Sequence, residues 1–162
     1  MSDHELRYGI TLYPWYAALA ALGYKKAETR PGVPAGPGWP EGAPVGVGGH
    51  ALAPLEPFVL VAGRKRARLG RTELGEFSYE RSRGQDDVLL RGDPLEWPFR
   101  VPSGHALAVT SFAGAWPVER VRFTDLQPHW SIEGDELVLP EQDRALGDFS
   151  PGRWVLPFTG PQ

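Results

Sequence analysis

Apolar and polar positions follow distinct patterns along the first thirty residues of the chain. The segment YGITLY (residues 8–13) is rich in β-forming residues and predicts a short strand. The segment PWYAALAAL that follows is almost wholly apolar and begins with a proline, which suits the first position of a helix. Gly23 is typical of a helix end. The pattern therefore predicts a helix over residues 14–22 and a turn at Gly23.

A charged segment, GYKKAETR (residues 23–30), begins where this helix ends. The chain after the turn is expected to be extended, with residues 26–29 in a strand. Side chains alternate between the two faces of a strand, so this geometry places Lys26, Glu28 and Arg30 on one face and leaves Lys25 at the corner.

The rest of the chain predicts short strands joined by turns. PFVLVAG (residues 57–63) is the best candidate for a buried strand, and residues 105–123 predict two strands with a kink at Gly114 and Pro117. SIEGDELVLP predicts a hairpin, and SPGRWVLPF predicts a Pro-Gly turn leading into a last strand. The pattern of residues 73–100 is mixed and yields no prediction. Many strands and few helices indicate a mainly β domain with minor α structure, an α+β barrel or sandwich.

A Pro/Gly-rich segment spans residues 31–49. It holds five prolines and seven glycines, which argues against a helix or a regular strand. We therefore predict a long surface loop. Such loops are often functional, so a flap over a site is one interpretation and a merely mobile loop is the other.

Length and charge limit the classes of function. The chain of 162 residues fits a single domain, residues 1–162, and the absence of cysteine excludes disulfides and thiol chemistry. The net charge is −3, so a phosphate-rich partner must be held by a local site. One basic segment, RKRARLGR, offers Arg64, Lys65 and Arg66 as phosphate contacts or forms an ordinary solvated loop.

The chain shows no signal-peptide pattern and no apolar run long enough to span a membrane, so we expect a cytoplasmic protein without a membrane partner. The histidines show no metal-ligand spacing, so no metal site is predicted, and no cofactor is indicated. Of the six tryptophans, most are expected in the core. Trp15 at the helix start and Trp39 in the Pro/Gly loop are candidates for ligand contact.

Gly23, Lys25, Glu28 and Arg30 match the pattern G-x-K-x-x-E-x-R, and a Pro-Trp pair precedes them. Together with LGDFSPGRW near the C-terminus and VPSGHALAVTSF in the middle of the chain, this segment resembles the ASCH domain family of the PUA-like superfamily. The resemblance covers most of the chain, except the Pro/Gly loop and residues 73–100.

The resemblance implies a small PUA-like β-barrel with an N-terminal helix beside a cleft, where the motif residues gather. It also implies binding of RNA, a nucleotide or a modified nucleoside. Some small relatives resemble amidohydrolases that deacylate N4-acetylcytidine with the motif lysine, so an amidohydrolase using Lys25 is the alternative. This chain carries Glu28 where those enzymes tend to have threonine. The resemblance places Lys25 beside Glu28 and Arg30, whereas regular strand alternation places Lys26 there.

The residue types of this motif suit an electron-rich ligand. Arg30 can make paired hydrogen bonds to a phosphate or a carbonyl edge, and Glu28 can accept from an exocyclic amine. A lysine nucleophile needs a lowered pKa, which burial would favour and Glu28 would oppose. Arg153, after the Pro-Gly turn, is a candidate phosphate contact in the same cleft. We expect Lys25 and Glu28 to be exposed cleft charges; the alternative is a strand with ordinary surface ion pairs.

Overall fold

The computed structural model describes residues 6, 8–12, 14–46, 51–63, 70–72, 75–81, 87–91, 100–102 and 104–160. At residues 14 and 15 and between residues 70 and 102 the description covers the backbone only.

Thirteen strands and three short helices make up the described chain. The first half contains β1 (Gly9–Leu12), α1 (Pro14–Ala21), β2 (Ala27–Arg30), β3 (Phe58–Ala62), β4 (Gly70–Thr72), β5 (Gly75–Arg81) and β6 (Asp87–Arg91). The second half contains β7 (Arg100–Pro102), β8 (Ala106–Thr110), β9 (Trp116–Pro117), β10 (Val121–Thr124), β11 (Ser131–Glu133), β12 (Glu136–Pro140) and β13 (Trp154–Pro157). Two 3-10 helices span Val118–Arg120 and Glu141–Leu146.

The described strands form four sheets, with strand orders β1-β3-β8, β2-β13-β9, β10-β12-β11 and β4-β5-β6-β7. Most neighbours are antiparallel, but β1 pairs with β3 and β10 pairs with β12 in parallel. The helix α1 connects β1 to β2. It ends at Gly23, which has φ 82°, and the backbone amides of Tyr24 and Lys25 donate hydrogen bonds to the Leu19 carbonyl.

Two hydrophobic clusters lie on opposite faces of the sheet β2-β13-β9. Leu156 of β13 belongs to the first cluster, which also contains the buried residues of α1 and β3. Its neighbour Val155 belongs to the second cluster, with Ala27, Leu137 and Leu139. Because successive side chains of a strand point to opposite faces, this sheet separates the two clusters.

Most of the predicted elements are confirmed. The helix, the strand after it, the buried strand β3, the hairpin β11–β12 and the last strand all occur where the sequence predicted them, within one or two residues at the ends. Gly152 has φ 85°, as the predicted Pro-Gly turn requires. The mainly β, α+β class is likewise confirmed, whereas none of the four described sheets closes on itself.

The Pro/Gly loop is tied to the body of the protein over its described part, residues 31–46. Val33 is buried and its backbone exchanges hydrogen bonds with Pro44 and Gly46, at 2.7 and 2.8 Å. Gly32 has no room for a side chain, because a Cβ would overlap the Pro44 carbonyl oxygen. These contacts lie within residues 31–46, and the flap interpretation stays a prediction.

In the part of the chain that the structure describes, no helix has the length and apolar character needed to cross a membrane.

Candidate functional site

The strand β2 lies at the edge of its sheet, and charged side chains form hydrogen bonds with backbone amides and carbonyls at this edge. Both amides at its start, those of Lys26 and Ala27, donate to the Asp143 carboxylate at 3.1 Å. Further along, the Thr29 amide donates to Glu28 Oε1 at 2.8 Å, and the Thr29 carbonyl accepts from Arg153 Nη2 at 3.0 Å. Unpaired backbone groups at a sheet edge need such partners when they are shielded from water. Glu28 and Arg153 therefore contribute to holding β2 in place.

Lys25 lies at the corner between α1 and β2 and is buried, with 3% of its surface exposed. Its ammonium donates to the Leu146 carbonyl at 2.6 Å and sits 4.9 Å from the centre of the Tyr16 ring. The contact with the ring is a cation–π interaction, and the carbonyl provides a charge-assisted hydrogen bond. The motif lysine thus connects α1 to the end of the second 3-10 helix.

The expectation that Lys25 and Glu28 are exposed cleft charges is wrong. Glu28 is only 8% exposed, and Lys25 is still less exposed. The physical reason is that both flank a strand edge and a helix end whose backbone groups need partners. These two charges satisfy or contact backbone polar groups that an alanine or leucine would have left unpaired.

Tyr16 is the residue that brings Lys25 and Glu28 into one neighbourhood. Burial raises the pKa of its phenol, and the nearby carboxylates of Glu28 and Asp148 raise it further. Hydrogen bonds from the Ser150 hydroxyl and amide, in turn, hold the pKa of Asp148 below its ordinary value. The phenol therefore stays protonated and neutral across the physiological range.

Asp143 is the most deeply buried carboxyl group described, with 1% of its surface exposed. Burial raises its pKa from 3.8 to about 6, against the opposing effects of the Lys25 ammonium and the two amides. The folded-state pKa lies above the unfolded value, so the group contributes stability below pH 3.8 that is lost as pH rises through about 6.

A cavity of about 400 Å³ opens over the outer end of β2; we call it the Arg30 cavity. Arg30 is exposed and lines it, and no described acid pairs with this guanidinium. Two aromatic rings, Tyr8 and Phe112, also line it. Its remaining side-chain walls are mainly apolar, from Ile10, Val33, Leu52 and Leu156. Among the described residues the cavity is therefore a mainly apolar space with one cation, Arg30, at its wall.

Strand alternation relates this cavity to Glu28. Glu28 and Arg30 share a face of β2, opposite Leu156 and Trp154 of β13. Leu156 lines the Arg30 cavity, whereas Lys25 and Glu28 do not. The structure thus brings Arg30 alone of the three motif charges to this cavity.

A second cavity, of about 460 Å³, lies between the end of α1, the segment before β11 and the second 3-10 helix; we call it the Lys26 cavity. Lys26 lines it, with its ammonium 3.4 Å from Nδ1 of His129. Lys26 therefore does not join Arg30, although regular alternation from the strand would have put them together. The reason is distance, because four residues of extended chain separate the two positions by about 13 Å.

The described cations differ in their partners. Lys25 binds a carbonyl. Four arginines each lie close to a carboxylate: Arg120 to Asp135, Arg122 to Glu133 and Glu136, Arg144 to Glu141, and Arg153 to Asp148. Among cations whose side chains the structure describes, Lys25, Lys26 and Arg30 have no described carboxylate within 4 Å, and of these Lys26 and Arg30 each line a cavity.

The other predicted ligand contacts have different positions. Trp39 donates its indole N–H to the Leu52 carbonyl at 2.8 Å and packs on the first cluster, so its polar atom has a structural partner. Arg153 reaches β2 but is engaged by Thr29 and Asp148. The Trp15 side chain lies outside the described part of the chain. So do residues 64–66, which hold the predicted phosphate contacts Arg64, Lys65 and Arg66.

Two residues of this region were missed from the sequence. Tyr16 lies within an apolar helical run, where an aromatic residue normally indicates core packing. Asp143 lies between other polar residues in EQDR, so its pattern is that of a solvated segment. The described residues contain no group of three or more His, Asp or Glu side chains that could hold a metal ion.

In comparisons with known proteins, no family model, no curated protein and no solved structure matches the chain.

Proposed function

We propose that this protein binds a nucleotide or modified nucleoside in the Arg30 cavity. The observation that carries the proposal is Arg30, which belongs to the G-x-K-x-x-E-x-R motif and lines a mainly apolar cavity without a carboxylate partner among the described residues. A guanidinium makes paired hydrogen bonds to phosphate oxygens, and the partly exposed Tyr8 ring offers a face to a base.

The size and charge of the region favour a single nucleotide over a long RNA. A volume of about 400 Å³ is in the ordinary range for small-molecule sites. RNA binding relies on several cations without acid partners along the path of the RNA phosphates. The described arginines outside this cavity are close to acids, and the net charge is −3. If RNA is nevertheless the ligand, residues 64–66 supply affinity that does not depend on the RNA sequence, and the affinity falls steeply as the salt concentration rises.

Lys25 bears on the alternative, hydrolysis of an acylated nucleoside. A lysine nucleophile must be uncharged and must reach the acyl carbon. In this structure the ammonium donates to Leu146 and lines neither described cavity, so hydrolysis requires Lys25 to leave that carbonyl. The cluster of Lys25, Tyr16 and Glu28 keeps this function as the second candidate, and turnover of N4-acetylcytidine is its direct test.

For the fold, we propose the PUA-like barrel that the resemblance implies. Its support is the position of α1, which connects β1 to β2 and packs against β3 in the first cluster.

The test is calorimetric titration of the full chain with cytidine 5′-monophosphate and with cytidine. Arg30→Met should weaken nucleotide binding about tenfold or more, since a hydrogen bond to a charged group contributes about 1.5–3 kcal/mol. The affinity for cytidine, which lacks the phosphate, should change little in Arg30→Met. Arg120→Met is the matched control, because Arg120 is exposed, paired with Asp135 and outside both cavities. Equal losses in the two variants, or none with either, would contradict the proposal.

A further inference from the structure

The Lys26 cavity lies where connecting segments of the chain meet. The turn at residues 22–24, the residues 124–129 and the start of the second 3-10 helix all line it. Internal hydrogen bonds hold the middle segment in shape: Gln127 donates to the His129 carbonyl and to the Ser131 hydroxyl, both at 2.9 Å. Sites positioned by loops on a fixed scaffold are common places for ligands.

Two basic groups meet at its wall without an acid between them. The Lys26 ammonium is 3.4 Å from His129 Nδ1, and no carboxylate lies within 4 Å of that ammonium among the described residues. The described surface arginines other than Arg30, in contrast, each have a carboxylate. An ammonium beside an imidazole is a weaker pairing than an ammonium beside a carboxylate, so this wall favours an anionic ligand.

The surrounding charges favour a single negative charge over two. Asp125 lines the cavity, and Asp143 lies buried near the Lys26 amide. Glu141 lines the cavity too, but Arg144 engages its carboxylate. The C-terminal end of α1, which is electrically negative, also faces this space. One carboxylate therefore matches Lys26, whereas a dianion would meet repulsion from Asp125.

Apolar side chains stand at the same cavity. Leu22 and Tyr24 line it and are about half exposed, and Pro128 and Pro140 add apolar surface. Exposed apolar groups beside a cation that has no described carboxylate within 4 Å suit a molecule with an apolar body and one acidic end.

We propose that the Lys26 cavity binds the carboxylate of a small organic acid, with the Lys26 ammonium and the His129 imidazole as its hydrogen-bonding partners. The apolar body of the acid lies against Leu22 and Tyr24. The site is separate from the Arg30 cavity, since no residue lines both.

The experiment is an NMR titration of the full chain, following the amide signals of Tyr24 and Gln127. The probe is 3-phenylpropanoate, and its uncharged amide is the matched control ligand. We expect saturable shifts with the acid, at least about tenfold weaker binding of the amide, and a similar loss of acid binding in Lys26→Met. Lys26→Arg, which keeps the charge, should retain binding and guards against a folding defect in the methionine variant.

Several results would overturn the proposal. Chemical shifts that grow without saturation would contradict a specific site. Equal binding of the acid and the amide would contradict it as well. Tighter binding of phenyl phosphate than of the acid removes the carboxylate assignment. Arg30→Met should bind the probe as the wild type does. Loss of probe binding in Arg30→Met would place the probe in the Arg30 cavity. That result would refute the Lys26 site and would leave the proposal of nucleotide binding untouched.

Discussion

Replacement of the buried Lys25 tests the structural account of the motif. In Lys25→Ala, three methylene groups leave the protein interior, worth about 2.4 kcal/mol at about 0.8 kcal/mol each. The charge-assisted hydrogen bond to the Leu146 carbonyl, worth about 1.5–3 kcal/mol, is lost as well. Release of the buried ammonium from its desolvation cost offsets part of this loss. We expect a net destabilisation of about 3 kcal/mol.

Lys25→Met separates packing from charge, because methionine keeps a side chain of similar length. We expect about 1–2 kcal/mol of destabilisation in this variant, mainly from the unpaired Leu146 carbonyl. The pKa of Asp143 should also rise further in Lys25→Met, because the Lys25 ammonium holds that pKa down in the wild type.

The assay is urea unfolding at neutral pH, with Lys26→Met as the neighbouring control. Lys26 is partly exposed, and its side chain has no carboxylate within 4 Å among the described residues, so the control should lose under about 1 kcal/mol. A loss below about 1 kcal/mol in Lys25→Ala, with an unchanged urea dependence, would refute the burial and the bonding of Lys25.

Two further predictions concern Asp143 and Gly32. The difference between pKa values of 3.8 and about 6 corresponds to about 3 kcal/mol of stability that the wild type loses between about pH 4 and pH 7 through Asp143. Asp143→Asn should lack this component, so urea unfolding as a function of pH should show the two stability curves diverging over that interval; parallel curves would contradict the burial of a titrating carboxyl group. Gly32→Ala should destabilise the protein by about 1–3 kcal/mol and weaken nucleotide binding, because its Cβ overlaps the Pro44 carbonyl. Gly9→Ala, whose Cβ makes ordinary contacts, is the control, and equal thermal stability of the two variants would show that the Pro/Gly loop is not packed as described.

Local signals explain what the sequence predicted correctly. Pro14 and Gly23 mark the ends of α1, and Gly152 marks the turn before β13, because each acts through its own backbone. The hairpin β11–β12 likewise depends on residues close together in the chain. Such features need no knowledge of distant segments.

The site was less accessible to sequence reasoning because its contacts are distant in the chain. Asp143 binds the amides of Lys26 and Ala27 across 117 and 116 positions, and Lys25 reaches Leu146 across 121. No local pattern predicts those pairings, and without them Lys25 resembles a surface charge. Arg30 was predicted as a ligand contact from the motif, but its cavity is lined together by β1 and residues 31–34 and 46, and no local pattern predicts that arrangement.

The most direct test of the central claim is a crystal structure of the protein soaked with cytidine 5′-monophosphate. We expect density in the Arg30 cavity, with the phosphate at hydrogen-bonding distance from the Arg30 guanidinium and the base against Tyr8. An empty Arg30 cavity in crystals where the nucleotide occupies another part of the molecule would contradict it.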